Sequence, residues 1–317
     1  MRGSAVGPGV FMTAYLHHTG HVVRDIAAAA ACYRRLGFAV PAPEFPALPP
    51  APGRPPRAVG AGNTHVQLGR GFVELVTVVD GDGPPADAVV VPLDVPLGAA
   101  ERVSAGIAAT AARLSSALAR FEGLHILVLG TSDADATAAR LTAGGVPHGG
   151  VQRVHRPGPA GGVPVPIGWL ELDPDAPEGR LAVAEDLAGA GRADHPNGAL
   201  ELVEVLLCVP DDELAAHTRR YRRYLDRPAR DEGPLRSFEL DSGRITLVAA
   251  SGVDGVLPGE RPPALPAFAG YVVTVRRPDD VRALVAGAGF PLRTTPAGDL
   301  FVPAAAAHGA AVVFRAA

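Results

Sequence analysis

The feature that most constrains this chain is one short arrangement that occurs four times. An apolar, strand-like run is followed by an acidic residue and then by a helical stretch. The openings read "HTGHVVRD", "HILVLGTSD", "EVLLCVPDD" and "YVVTVRRPDD". Asp25 and Asp133 suit helix N-caps, because a carboxylate there accepts hydrogen bonds from the free amides of the first turn. Gly37 and Gly144-Gly145 suit the helix ends. Short strand candidates follow each helix: 64–68 and 72–79; 151–154, 167–172 and 180–184; 236–240 and 244–249; then 292–295 and 310–314. Each copy is a strand, a helix and two or three return strands, so the chain reads as an internal repeat. The fold class is therefore α+β.

Two stretches fall outside the repeat. The Pro-rich segment 41–56 is expected to be an irregular surface loop. Residues 99–120 are expected to form a helix that connects the first unit to the second. The link between the second and third units is short, because "HPNG" leads straight into the third opening strand. His195 in that motif is expected to fix the turn. Residues 1–12 are expected to be poorly ordered.

Bulk properties exclude some functions. With 317 residues and ~150 residues per domain, about two domains are expected. The formal charge of −4 gives no electrostatic reason to bind nucleic acid or an anionic membrane. "HTRRYRRY" at 217–224 reads as a solvated helix face with tyrosine packing rather than a nucleic-acid patch. No apolar run reaches the ~18 residues of a membrane span, and no signal-peptide core opens the chain. Cys32 and Cys208 make no disulfide framework and read as small buried hydrophobes. A cytoplasmic protein, monomeric or homodimeric, acting on a small molecule is expected.

The segments "LHHTGHVVRDIAAAAACYRRLGF", "GNTHVQLGRGFVELVTV", "LHILVLGTSDADATAARLTAGGV" and "WLELDPDAPEGRLAVAEDL" resemble the glyoxalase-like members of the vicinal-oxygen-chelate superfamily. That superfamily also contains bleomycin-resistance proteins and dioxygenases. The resemblance implies four βαβββ units forming two paired, half-barrel sheets. Residues 13–198 would form the N-terminal pair and 199–317 a degenerate C-terminal pair. It also implies a divalent metal on the concave face, held by side chains from the first and last strand of each unit.

Carried onto this chain, the resemblance gives His18 and His125 on the opening strands and Glu74 and Glu185 on the closing strands. The separations, 74 less 18 and 185 less 125, are 56 and 60 residues. Two imidazoles and two carboxylates would suit Zn²⁺, Ni²⁺, Fe²⁺, Mn²⁺ or Co²⁺. Such a metal would polarise a carbonyl or stabilise an enediolate or alkoxide, and Glu74 or Glu185 could serve as the base. His65, His148 and His155 are alternative ligands. In the C-terminal pair the corresponding positions are read as Glu204, Val272, Thr246 and Val313, which make no site. A metal-dependent lyase or isomerase on an oxygen-rich substrate is the leading expectation. The alternatives are a metal-free, drug-sequestering binding protein and an Fe(II) dioxygenase.

Overall fold

The computed structural model describes residues 14–51, 53–79, 83–95, 98–156, 165–185 and 193–317. The segment 1–12 lies outside the described residues.

The first unit opens with β1 (Ala14–Val22) and α1 (Ile26–Arg35). It returns through β2 (Glu44–Leu48), β3 (Arg57–Ala58), β4 (Ala61–Gln67) and β5 (Phe72–Val78). The short β6 (Val89–Pro92) and the long α2 (Ala100–Arg120) lead to the second unit. That unit is β7 (Gly123–Thr131), α3 (Ala134–Ala143), β8 (His148–Arg156), β9 (Val165–Leu172) and β10 (Arg180–Glu185). The third comprises β11 (Ala199–Val209), α4 (Leu214–Leu225), β12 (Arg230–Glu232), β13 (Leu235–Glu239) and β14 (Arg244–Ala249). The fourth comprises β15 (Ala267–Val275), α5 (Pro278–Gly287), β16 (Arg293–Thr294), β17 (Leu300–Val302) and β18 (Ala311–Ala316).

Each unit pairs its first strand in parallel with its last: β1 with β5, β7 with β10, β11 with β14 and β15 with β18. Opening strands meet antiparallel at the centre of each pair, β1 on β7 and β11 on β15. The two halves touch through Phe268 and Leu124. One sheet therefore runs through the molecule, with α1, α3, α4 and α5 contributing to the main core on its convex side. The caps act as the sequence predicts: Asp25 accepts from the amide of Ala28 at 2.9 Å, and Asp133 from that of Ala136 at 2.8 Å.

The Pro-rich segment differs from expectation. Residues 44–48 form β2, which pairs in parallel with β6 and carries the buried Phe45 into the core. Pro46 lacks an amide, but its carbonyl still accepts from Val59 at 2.9 Å. A proline is compatible with a strand wherever only its acceptor is needed. The sequence pattern also missed β12 and β17, which are three residues each and too short for an alternation signal.

Helix α2 does more than connect. Its apolar stripe, centred on Leu114, packs with Val22, Val76, Ile126, Val128, Ala182 and Ala184 in a second core on the concave side. Gly60 approaches the helix so closely that a Cβ there would lie 2.4 Å from Ile107. The C-terminal pair has a concave core of its own, in which Val253 and Leu257 cover Leu206, Val272 and Val313.

Buried polar groups tie the halves together. His21 donates from Nε2 to the carbonyl of His308 at 2.6 Å, and its Nδ1 bonds the hydroxyl of Tyr33 at 2.8 Å. Tyr271 donates to Tyr33 at 3.1 Å. Glu178, fully buried, takes Arg220 and the hydroxyl of Tyr221 from α4. The "HTRRYRRY" helix is thus solvated at Arg219, Arg222 and Arg223 and buried at His217, Tyr221 and Tyr224. His195 ties its turn to the loop after α1 and to the end of β4: Nδ1 accepts from Ala39 at 3.0 Å and Nε2 donates to the carbonyl of Gln67 at 2.7 Å.

Candidate functional site

Strand register decides which side chains share the concave face. Neighbours across β1 and β5 are His18 with Phe72 and Gly20 with Glu74. Neighbours across β7 and β10 are Ile126 with Arg180 and Val128 with Ala182. The N-caps Asp25 and Asp133 are 108 residues apart, and the same shift carries His18 onto Ile126 and Glu74 onto Ala182. The β-bulges agree. The β1–β7 ladder skips one residue at His17 and one at His125, which the same shift relates.

His18 and Glu74 therefore occupy matched positions on one wall, while the second unit presents Ile126 and Ala182. His18 is buried, and its ring stacks on Phe72 with centroids 4.3 Å apart at 11°. Its Nδ1 lies 2.7 Å from that of His17, so one of the two rings carries its proton there. Burial, reinforced by His17, His65 and Arg180, holds the His18 pKa well below the ordinary histidine value. His18 is neutral at pH 7. Glu74 accepts from Asn63 at 2.8 Å and lies across the ladder from His65. Burial also lowers the pKa of His65, against the pull of Glu74 and Glu44. The edge of His65 meets the Phe72 ring at 5.0 Å.

The other two expected ligands are placed elsewhere. His125 is the extra residue of the β7 bulge and sits over Phe121. Its Nε2 donates to the carbonyl of Phe121 at 2.9 Å, and burial lowers its pKa. Glu185 points to the convex side, where it accepts from the first amide of α3, Ala134, at 3.0 Å and from Arg153 at 2.9 Å. A carboxylate at a helix N-terminus is stabilising by itself, so burial among apolar neighbours needs no metal to explain it. Among the alternatives, His148 bonds Thr142 on the exposed side of α3, and the side chain of His155 lies outside the described residues. The structure thus brings His18 and Glu74 to one wall and does not bring His125 and Glu185 there. Among the described residues, no group of three or more His, Cys, Asp or Glu could hold a metal ion. The donor set does not fit the four-ligand metal that the resemblance implies.

The sequence reading missed the second wall. Between α2 and the second unit lies a cavity of about 270 Å³ floored by Val22, Leu114 and Ile126 and rimmed by Arg113, Arg120, Arg180 and Glu171. Glu171 takes both Arg113 and Arg180. Arg180 also lies over the Trp169 ring at 5.2 Å and is the residue through which this wall acts on His18. The signal was present in α2, whose arginines recur on one side of an Ala-rich helix. It is invisible until the helix is known to lie on the concave face.

The C-terminal pair repeats the asymmetry. Its bulges at Val203 and Ala269 match those at His17 and His125, with a further irregularity between Ala199 and Leu202, and its matched positions are Glu204 and Thr246 on the third unit, Gly270 and Val313 on the fourth. Gly270 replaces the Val272 of the sequence reading, because the cap position of α5 is taken by Arg277, two residues before the Asp279 from which the sequence spacing counts. Glu204 is buried between Arg244 at 2.8 Å, Arg315 at 2.9 Å and Thr246 at 2.7 Å. Burial opposes its ionisation, but these partners outweigh it and hold its pKa below the usual carboxylate range.

Paired βαβββ units around a concave face define the class, and comparison with known proteins agrees. The glyoxalase-like domain model matches residues 16–225, and the chain belongs to that family. A hypothetical protein from Staphylococcus aureus aligns over 96% of this chain and 100% of its own, with TM-score 0.58 and 10% identity. A mutant of 4-hydroxymandelate synthase from Streptomyces coelicolor aligns over 90% of this chain and 77% of its own, with TM-score 0.52 and 14% identity. A fusion of a xylose isomerase-like TIM barrel with 4-hydroxyphenylpyruvate dioxygenase aligns over 98% of this chain and 52% of its own, with TM-score 0.53 and 14% identity. At such identities these likenesses speak to the fold alone. No curated protein matches the sequence. Among the described residues no helix is long and apolar enough to cross a membrane.

Proposed function

We propose that the N-terminal pair is a small-molecule binding site that works without the four-ligand metal of its relatives. The observation that carries this reading is the pair Ile126 and Ala182, which stand where the second imidazole and the second carboxylate would have to be. An apolar wall faces a polar one, so the ligand is a molecule with an oxygen-bearing side and an apolar side. Neutral His18, its ring held in place by stacking on Phe72, offers a hydrogen bond or a base to the first. Of the family's functions, binding or sequestration of a small molecule fits this better than metal-assisted lyase, isomerase or oxygenase chemistry.

Calorimetric titration of chelator-treated protein with Zn²⁺, Ni²⁺, Mn²⁺ and anaerobic Fe²⁺ tests this. No stoichiometric binding is expected. A one-to-one metal site that the substitution His18→Ala abolishes would overturn the proposal and restore the metal-dependent reading. Oxygen uptake by an Fe²⁺-loaded sample would then separate a dioxygenase from a lyase or isomerase.

A further inference from the structure

The cavity beneath α2 carries more chemical information than its size. Its rim and lining hold three arginines, Arg113, Arg120 and Arg180, against two carboxylates, Glu171 and Asp173. Glu171 is shared between Arg113 and Arg180, and Asp173 is taken by the hydroxyl of Tyr224. Arg120 is held by two backbone carbonyls, of Pro177 at 2.8 Å and Pro266 at 2.9 Å. Two carbonyl partners fix a guanidinium in place without cancelling its charge. The cavity is therefore left one positive charge in excess over an apolar floor.

His125 adds a directional element. Its Nε2 proton is committed to Phe121, so a neutral ring presents a bare Nδ1 lone pair. That atom has no hydrogen-bond partner among the described residues, and His125 lines the cavity.

We propose that this cavity binds a small organic monoanion with an apolar body, its carboxylate beside Arg113 and Arg180 and any neighbouring hydroxyl donating to His125 Nδ1. The charge excess balances one carboxylate and not a dianion such as phosphate. The volume of about 270 Å³ lies just under the ~300 Å³ at which drug-sized sites begin, which suits a single-ring or branched acid. The inference rests on reading the N-terminal concave face as a small-molecule site and names the class of ligand for the part of that face between α2 and the second unit, which includes Ile126 but not His18 or Phe72.

Titration calorimetry with benzoate, salicylate and the uncharged isostere benzamide tests it. Benzoate is expected to bind about tenfold or more tighter than benzamide, the worth of one charge-assisted contact. Salicylate is expected to bind tighter still, and His125→Phe to remove that advantage while leaving benzoate affinity in place. Arg113 is more than half exposed on α2, so Arg113→Gln should fold normally by circular dichroism and weaken benzoate by about tenfold. Arg113→Lys, which keeps the charge, should restore part of the loss. Equal affinity for benzoate and benzamide, or benzoate affinity unchanged in Arg113→Gln, would overturn the ligand assignment. The metal titration on the same sample keeps the two readings apart: absent metal with absent benzoate binding removes this inference alone.

Discussion

The first and second units share a backbone and differ in what they place on it. At matched positions the first carries His18 and Glu74, the second Ile126 and Ala182. The third and fourth units repeat the contrast with Glu204 and Thr246 against Gly270 and Val313. In each pair the polar wall belongs to the unit that comes first in the chain, and the apolar wall to the unit that follows. Covering segments rest on both walls: α2 packs with Val22 and Val76 of the first unit and with Ile126, Val128, Ala182 and Ala184 of the second, and residues 250–257 with Leu206 and Val248 of the third unit and Val272 and Val313 of the fourth. A covering segment needs a dry surface, because each unpaired polar group beneath it would cost about 1–3 kcal/mol.

The contrast can be broken most strongly by restoring the missing ligands. Ile126→His with Ala182→Glu should create a metal site, with Zn²⁺ affinity rising by about a thousandfold or more, equivalent to about 4 kcal/mol. Calorimetry against the unaltered protein reads it, and the apo variant should melt lower because an unpaired carboxylate enters the concave core. In the C-terminal pair, Glu204→Ala should remove the shared partner of Arg244 and Arg315. Because both arginines are about one-third exposed, the loss is expected near the lower end of the buried-pair range, about 3 kcal/mol by urea unfolding.

The link between the halves sets a pH dependence. Burial lowers the pKa of His21 from 6.5 to about 4. The unfolded chain therefore binds a proton between those values that the folded chain refuses. Stability from this group is full above pH 6.5 and falls as the pH drops toward 4, by roughly 1.4 kcal/mol per unit. His21 should contribute about 2 kcal/mol of the difference in unfolding free energy between pH 7 and pH 5, on top of that from the other buried histidines, and His21→Gln should remove that share. The smallest effect is expected from Glu185→Ala. It removes the carboxylate that holds the start of α3 and should cost about 1 kcal/mol, with no change in metal content.

Much of the fold is legible in the sequence because it rests on local signals. Asp25 and Asp133 cap helices wherever they stand, and the glycines close them. The site is less legible because it rests on which face a side chain takes. His125 and Glu185 lie at nearly the right separations, and a shift of one residue along a strand changes the face. The bulge at His125 is such a shift, and nothing in "GLHILVL" announces it. Glu185 in "LAVAED" looks like a buried acid without a partner until α3 is seen to start beside it. The closeness of 56 and 60 reflected equal unit lengths and carried no information about ligation.

Each unit carries a surplus residue at a matched place in its opening strand, at His17, His125, Val203 and Ala269, and the third unit's strand has a second irregularity between Ala199 and Leu202. Such an insertion bends the ladder and pins it, since sliding the strand would expose a whole row of apolar side chains. The four insertions give the units a common set of coordinates. A side chain counted from the insertion in one unit has a defined counterpart in the other three. Chemistry can therefore be moved between units by substitution alone, with no insertion or deletion, and the same backbone offers four interchangeable sockets of which this chain has wired two.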